Sequence, residues 1–450
     1  MILLYALACT ATPTPNPTTA PTISDVALSV DPNVSTMLWV TWSQDLPSDE
    51  AWLQYDVDGV SHRGPNVATA AGAHRAALVG VPADTAIPVA LEECVVSAGD
   101  EGSCRGWNLG TITTGSLPAD LVTPSLSIAG PDGTAPWSWL LTSVDVGPQD
   151  FHGPFYTVIL DNLGRVVWYR QTSGLRVTLF PRVARNGSEL LIDASTNFVV
   201  GDPGLSRVTL NEAKDEESNA APIGFSYSEA EDGSIYFDED VTDTQYYLDR
   251  LSPDGTLTRL WDCYAWVAAW NTDPYGCGTN DVQYDEAHHS VLWSDYETST
   301  VAELDAGTGA LLRYFGETPG GYAIAPSDVR LKLQHSPVWT PTGNILLTTH
   351  DPNDDTAQVI REFSLDATAQ TATQVWSYQN TGGYYGQEEG DVTRYDNGDT
   401  LIGYGVAGEI QHIDANGTVL AELNWHRKLT GHMTEIDDLS PLIGNPQGDE

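Results

Sequence analysis

Basic residues are scarce in this chain: 19 Lys plus Arg stand against 62 Asp plus Glu, a formal charge of −43 over 450 residues. A surface so acidic repels nucleic acid and anionic membranes, which excludes both as partners bound by charge. Cysteine is also sparse, with five residues, and neither close pair has zinc-site spacing or a pair of histidines to complete one. Beyond the first few residues no apolar run approaches the length of a membrane span. What the chain does have is aromatic and turn-forming material, with 14 Trp, 19 Tyr, 41 Gly and 27 Pro. Short strands joined by tight turns fit that composition, and the length predicts at least two domains.

Residues Met1 to Ala8 are apolar and run into Cys9 and the Thr/Pro-rich stretch ATPTPNPTTAPT. An apolar run, small residues and a Cys resemble a bacterial lipoprotein signal, although no Lys or Arg precedes the run and Ala6 stands where Leu is usual. The expectation is a signal over residues 1–9, a linker over 10–22, and an exported protein, periplasmic or at the cell surface, held to the membrane by lipid on Cys9. The other cysteines form two close pairs, Cys94/Cys104 and Cys263/Cys277, expected to be two local disulfides in an oxidising compartment.

From residue 23 to about 115 the chain shows short alternating runs, among them Val26–Val30, Met37–Trp42, Ala51–Tyr55, His74–Val81 and Val89–Glu92. Their length and spacing predict a β-sandwich. The Trp42 strand and the Leu78-x-Gly80-x-Pro82 corner resemble fibronectin type III (Ig-like) domains, in which the Trp fills the core. His62 and His74 read as surface positions, and the domain as a spacer or docking module.

Beyond about residue 124 a unit recurs every 40 to 50 residues or so, the period of propeller blades. Its centre is a turn between apolar strands: Asn186-Gly187, Asp232-Gly233, Thr342-Gly343 and Asn397-Gly398, with His288-His289 at the equivalent place in another copy. Each unit closes on a second hairpin, at Gly164, Gly255, Gly309 and Gly417. Asn-Gly and Asp-Gly supply the positive φ that tight hairpins need. The count of about six units predicts an all-β chain in which the sandwich is followed by a six-bladed β-propeller over residues 124–450.

Propeller ligands sit at the channel mouth, which is lined by the start of each innermost strand. Those segments are Val177-Thr178-Leu179, Gly224-Phe225-Ser226, Thr279-Asn280-Asp281, Leu333-Gln334-His335-Ser336 and Glu388-Glu389-Gly390-Asp391. Among them His335 is the one good nucleophile or base near neutral pH. The Asp-rich loop at Asp351, Asn353, Asp354 and Asp355 lacks the ligand spacing and central Gly of a calcium hand; a solvated acidic surface is the favoured reading, and no metal or cofactor is expected.

The segment from Lys332 to Trp339 with Thr342–Leu347 resembles the Gln-His segment of bacterial aryl-sulfate sulfotransferases, and Glu389–Gly405 is similar to that family's last blade. The resemblance implies sulfuryl transfer from a phenolic sulfate to a phenol through a sulfohistidine, with His335 as catalytic residue and small aromatic sulfates and phenols as partners. It places Asn280 at the Asn of the family's His-x-Asn motif. That motif's His is Gly278 here, its following-strand Arg aligns with Tyr296, and an earlier paired His falls near Thr178 and Leu179. Gln334, Asn280, Tyr296 and His350 are the candidate substrate-binding residues, and Arg182 or the cluster His426, Arg427, Lys428 and His432 could replace the missing donors. His152, His288, His289 and His412 read as turn or outer-strand positions. Two alternatives stand beside the enzyme: a non-catalytic surface lipoprotein whose propeller binds a ligand or partner and, ranked last, a hydrolase or lyase acting on acidic polysaccharide.

Overall fold

The computed structural model describes residues 21–444 apart from 96–102, 129–132, 173, 175, 197–203, 219–221, 243–244, 271–275, 353 and 381. Cys9 with its leader lies outside the described residues, as does Asn353. No helix among them is long and apolar enough to cross a membrane. The chain forms two compact units, Met1–Gly115 and Ser116–Glu450.

The first unit has two antiparallel sheets. One orders Ile23–Val30, Leu38–Gln44 and Gly72–Leu78; the other orders Val60–Asn66, Glu50–Val57, Ala86–Val95 and Ser103–Thr113. Alternation decides which side chains go inward: along Glu50–Val57 the residues Ala51, Leu53, Tyr55 and Val57 are buried and their neighbours are not. They join Trp42, Leu38, Val40, Leu78 and Leu91 in one core shared by both sheets. Cys94 and Cys104 face each other across adjacent strands and are disulfide-bonded, with Cα atoms 4.0 Å apart. His74 is not a surface residue. Its ring stacks on Trp42 at 5.1 Å and its Nε2 bonds the Ala70 carbonyl oxygen at 2.7 Å, so the tryptophan buries it.

The second unit is a β-propeller built from six sheets of four or five strands, with a two-stranded ribbon of Arg176–Val177 and Ser195–Thr196 besides; the six are numbered here in chain order by their second strands: Trp139–Asp145, Leu190–Asp193, Ile235–Thr242, Ser290–Asp295, Ile345–Asp351 and Thr400–Gly403. The core of each is four antiparallel strands. The ring closes twice. Thr434–Ile436, from the end of the chain, pairs with Trp139–Asp145 as the innermost strand of the first sheet. Ser125–Ile128, from the start of the unit, adds to the outer edge of the sixth sheet beside Val419–Asn424.

All six seams between innermost segments carry a hydrogen bond. His432 N–H donates to the Leu179 carbonyl at 2.7 Å, Tyr227 OH to the Phe180 carbonyl at 2.7 Å, and Ser226 Oγ to Asp281 Oδ1 at 2.9 Å. Asn280 Nδ2 donates to the Gln334 carbonyl at 2.7 Å, Ser336 Oγ to Asp391 Oδ1 at 2.7 Å, and Met433 N–H to Asp391 Oδ2 at 2.8 Å. Sheet edges are thereby consumed within the ring.

The central turns behave as their Gly residues require, with φ of 70° at Gly187, 82° at Gly233, 77° at Gly343 and 90° at Gly398. His289 holds the same place in the fourth sheet at φ 48°, a left-handed conformation that a side chain makes unfavourable. His412 departs from expectation: it is buried, stacked on Tyr395 at 5.5 Å and lying 3.5 Å from both Asp399 and Glu435.

Candidate functional site

A repeated carboxylate shapes the approach to the innermost strands. In the second, third and fourth sheets the second strand carries Asp193, Asp238 and Asp295, all buried. Asp193 accepts the N–H groups of Leu179 and Phe180, each at 2.8 Å. Asp238 Oδ1 accepts those of Phe225 at 3.0 Å and Ser226 at 2.6 Å. Asp295 accepts Gly278 N–H at 3.3 Å. These bonds pin the loops that deliver the innermost strands to the mouth. Burial outweighs the backbone donors and pushes Asp193 up to about 6 and Asp238 and Asp295 up to about 7.

On these loops lies a cavity of about 350 Å³ that has His335 in its wall. His335 is 5 % exposed. Its Nδ1 bonds the Leu333 carbonyl at 3.1 Å, and its Nε2 accepts Glu389 N–H at 3.3 Å. Burial, then the neighbouring His350, pulls its pKa down to about 3, so the imidazole is neutral at every physiological pH. The backbone around it is strained: Leu333 at φ 50°, Ser336 at φ 49° and Glu389 at φ 64° are left-handed residues with side chains. Such strain costs on the order of 1–2 kcal/mol per residue and collects at working sites.

Two of the candidate substrate-binding residues meet His335 at this cavity. Tyr296 sets its ring edge-on to the imidazole, with centroids 5.5 Å apart, and Asn280 shares the lining. Burial, followed by the charges of Glu388 and Glu297, raises the Tyr296 hydroxyl. Gln334 and His350 do not belong to that wall. Gln334 is wholly buried, its amide donating to Ser294 Oγ and to the carbonyls of Asp295 and Thr300, which makes it a seam residue. His350 bonds the Gly386 carbonyl at 3.1 Å and the Tyr385 hydroxyl at 3.3 Å.

The replacement cations are elsewhere too. Lys428 donates to the carbonyls of Val146 and Gly147, and Arg182 and His432 line a separate cavity deeper among the innermost strands. In the Asp-rich loop, Asp354 Oδ1 is taken by the amide and hydroxyl of Thr356. Among the described residues the only three potential metal ligands gathered closely are Cys263, Cys277 and Asp295, and those two cysteines are disulfide-bonded, their Cα atoms 6.0 Å apart.

What the residue motifs missed is the sign of the cavity. Asp238, Asp240, Glu297, Glu388 and Glu389 line it, and among the described residues no Lys or Arg does. Phe151, Phe225, Tyr246 and Tyr296 supply aromatic wall. Burial, and then the charges of Glu388, Asp281, Asp193 and Asp391, holds Glu389 well above the usual carboxylate range; burial and Asp150 raise Glu388. A signal for Asp238 was present in the sequence: the triplets Leu191-Ile192-Asp193 and Tyr236-Phe237-Asp238 put an Asp at the fourth position of successive second strands.

Fold and site together define a β-propeller with an acidic, aromatic mouth cavity. No protein-family model matches the chain, and no curated protein does. Solved structures of similar chain path include a Bacteroides caccae protein of unknown function, at 14% identity over 67% of this chain and 100% of that one, TM-score 0.44. Another is the β-propeller domain of Cps50 (Swd1) from Myceliophteria thermophila, at 12% identity over 69% of this chain and 89% of that one, TM-score 0.41. A catalytically inactive virginiamycin B lyase from Staphylococcus aureus with quinupristin follows at 10% identity over 70% and 100%, TM-score 0.39. Likeness at this level concerns the fold and assigns no activity.

Proposed function

We propose that the propeller is a ligand-binding module and that the cavity beside His335 is its binding site. The observation that carries this reading is a cavity of about 350 Å³ lined by five carboxylates and no cation. Sulfuryl transfer needs fixed cations or donors around the sulfate oxygens, and this wall sets acidic groups where those cations would stand. The imidazole Nε2, which would attack sulfur, already accepts Glu389 N–H. Replacing Tyr296 by Ala removes aromatic wall while leaving the seams intact, and it is expected to weaken a bound small molecule about tenfold. Equal affinity of wild type and Tyr296→Ala for a ligand found by thermal-shift screening would place that ligand elsewhere.

Aryl-sulfate sulfotransfer is the second reading, favoured by the contact of a neutral His335 with Tyr296 and by Asn280 beside them. It requires His335 Nε2 to form an N–S bond as the phenolate leaves, and an acceptor phenol then to take the sulfuryl group. Incubation with an aryl sulfate decides it: released phenol together with sulfated His335 supports transfer, and neither product removes it.

The six-bladed, fibronectin III-like description belongs to the same proposal. In the first unit the split of first, second and fifth strands against fourth, third, sixth and seventh supports a fibronectin type III order. Such a module would space the propeller from a membrane anchored through Cys9. The two disulfides point to a location outside the cytoplasm.

A further inference from the structure

Three residues that line the mouth cavity each carry a buried acceptor atom with no hydrogen-bond partner: Asp238 Oδ2, Asn280 Oδ1 and Glu389 Oε2. Their residues are 0%, 6% and 3% exposed. A buried acceptor that nothing donates to is unfavourable, so a ligand that donates to these atoms is favoured. The three come from the third sheet, the fourth sheet and the loop entering the sixth, so the shortage of donors belongs to the cavity and to no single strand. Phe225 and Tyr246 also line it, and aromatic rings are the apolar groups that attract cations. Among the described residues, these carboxylates do not gather three oxygens at metal-ligating distance. A compact metal ion therefore fits less well than a longer ligand bearing several N–H donors.

We propose that the mouth cavity takes a small organic cation, a primary ammonium or guanidinium compound, whose N–H groups donate to Asp238 Oδ2, Asn280 Oδ1 and Glu389 Oε2 while its carbon chain lies against the aromatic wall. This names the ligand class for the binding reading above and rests on it. An anionic or donor-poor ligand leaves the three oxygens unpaired. A neutral polyol satisfies them without balancing the carboxylates.

The test is calorimetric titration of the full chain at about 0.15 M ionic strength, where exposed charges are largely screened. The probes are agmatine and putrescine, with 1,4-butanediol as neutral isostere and succinate as anion. The expected result is saturable one-to-one binding of agmatine or putrescine. Asp238→Asn and Glu389→Gln should each lose about tenfold or more, and Glu231→Gln, an exposed turn residue away from the cavity, should lose nothing.

A readout on unmutated protein covers variants that misfold. Cation binding should expel protons from Asp238, which faces Asp240, and from Glu389, which faces Glu388, Asp281, Asp193, Asp391 and His335. The measured heat should then change with the ionisation enthalpy of the buffer near pH 6–7. Multi-site binding equally weakened by Glu231→Gln would reduce the effect to bulk charge and overturn the inference. Tighter binding of butanediol than of putrescine overturns the cation class but keeps the cavity as a binding site. Failure of every probe, together with no hit in the thermal-shift screen, removes both.

Discussion

Two of the propeller's cavities share innermost strands and differ in charge. The mouth cavity, about 350 Å³, gathers five carboxylates around the uncharged His335 imidazole and, among the described residues, no Lys or Arg. The deeper one, about 280 Å³, mixes Asp391 and Glu435 with Arg182 and His432. In the deep cavity the central carboxylate is spent on the fold: Asp391 accepts from Ser336 and Met433 and lies 3.3 Å from His432 Nδ1. At the mouth, Asp238 and Glu389 each keep an oxygen with no partner. One carboxylate closes the ring, and the others are held ready for something outside the chain. A charge that stabilises by its contacts and a charge maintained against its surroundings should answer differently when removed.

The largest difference is expected at Asp391. Asp391→Ala strips the acceptor from Ser336 and from the Met433 amide and should lower unfolding free energy by about 3 kcal/mol in denaturant titration. A loss below about 1 kcal/mol would mean that the seam does not depend on this residue.

The second effect is on pH. Asp193, Asp238 and Asp295 sit near 6, 7 and 7 in the folded chain against an ordinary 3.8. Between about pH 4 and 7 the folded state therefore binds more protons than the unfolded one, and stability falls as pH rises through that window. Melting curves of the unliganded protein should show a higher Tm near pH 5 than near pH 7.5, and the opposite order would contradict the burial of these charges.

Smaller again is Asp238→Asn. The amide oxygen can keep the bonds from Phe225 and Ser226 while the charge disappears, so stability should hold or rise by about 1 kcal/mol even as ligand binding is lost, a trade common at sites built for function. A loss of more than about 2 kcal/mol would turn Asp238 into a structural residue like Asp391. The smallest effect is at His289, where the other central turns carry Gly. His289→Gly should relieve left-handed strain and gain about 0.5 kcal/mol, measurable as a small shift of the denaturation midpoint.

Much of the ring was legible in the sequence because its punctuation is chemical. Asn-Gly and Asp-Gly turns mark the centres of the sheets, and every seam bond described above involves one of the segments named as channel-facing or its immediate neighbour. Two closing hairpins were hidden because Glu212 at φ 56° and Gln370 at φ 52° take the left-handed place that Gly holds in the others. The entry of Thr434–Ile436 into the first sheet was illegible for another reason, since closure is a contact between the two ends of a long chain. At the site, Asn280 and Tyr296 were placed with His335 by motif alone. Gln334 was misread because a polar side chain next to a histidine looks the same in sequence whether it faces a ligand or a seam. His74 and His412 were misread as peripheral because aromatic neighbours, distant in the chain for His74's Trp42 and nearer for His412's Tyr395, bury them. The character of the mouth escaped because acidic residues are everywhere in this chain, and only their convergence distinguishes Asp238, Glu388 and Glu389 from the solvated rest.

On this reading the mouth cavity receives a cation. A crystal structure of the full chain grown with agmatine tests it most directly. The ligand is expected beside His335, with guanidinium or ammonium nitrogens within about 3 Å of Asp238 Oδ2 and Glu389 Oε2. Clear density for agmatine elsewhere with that cavity filled only by water would contradict it.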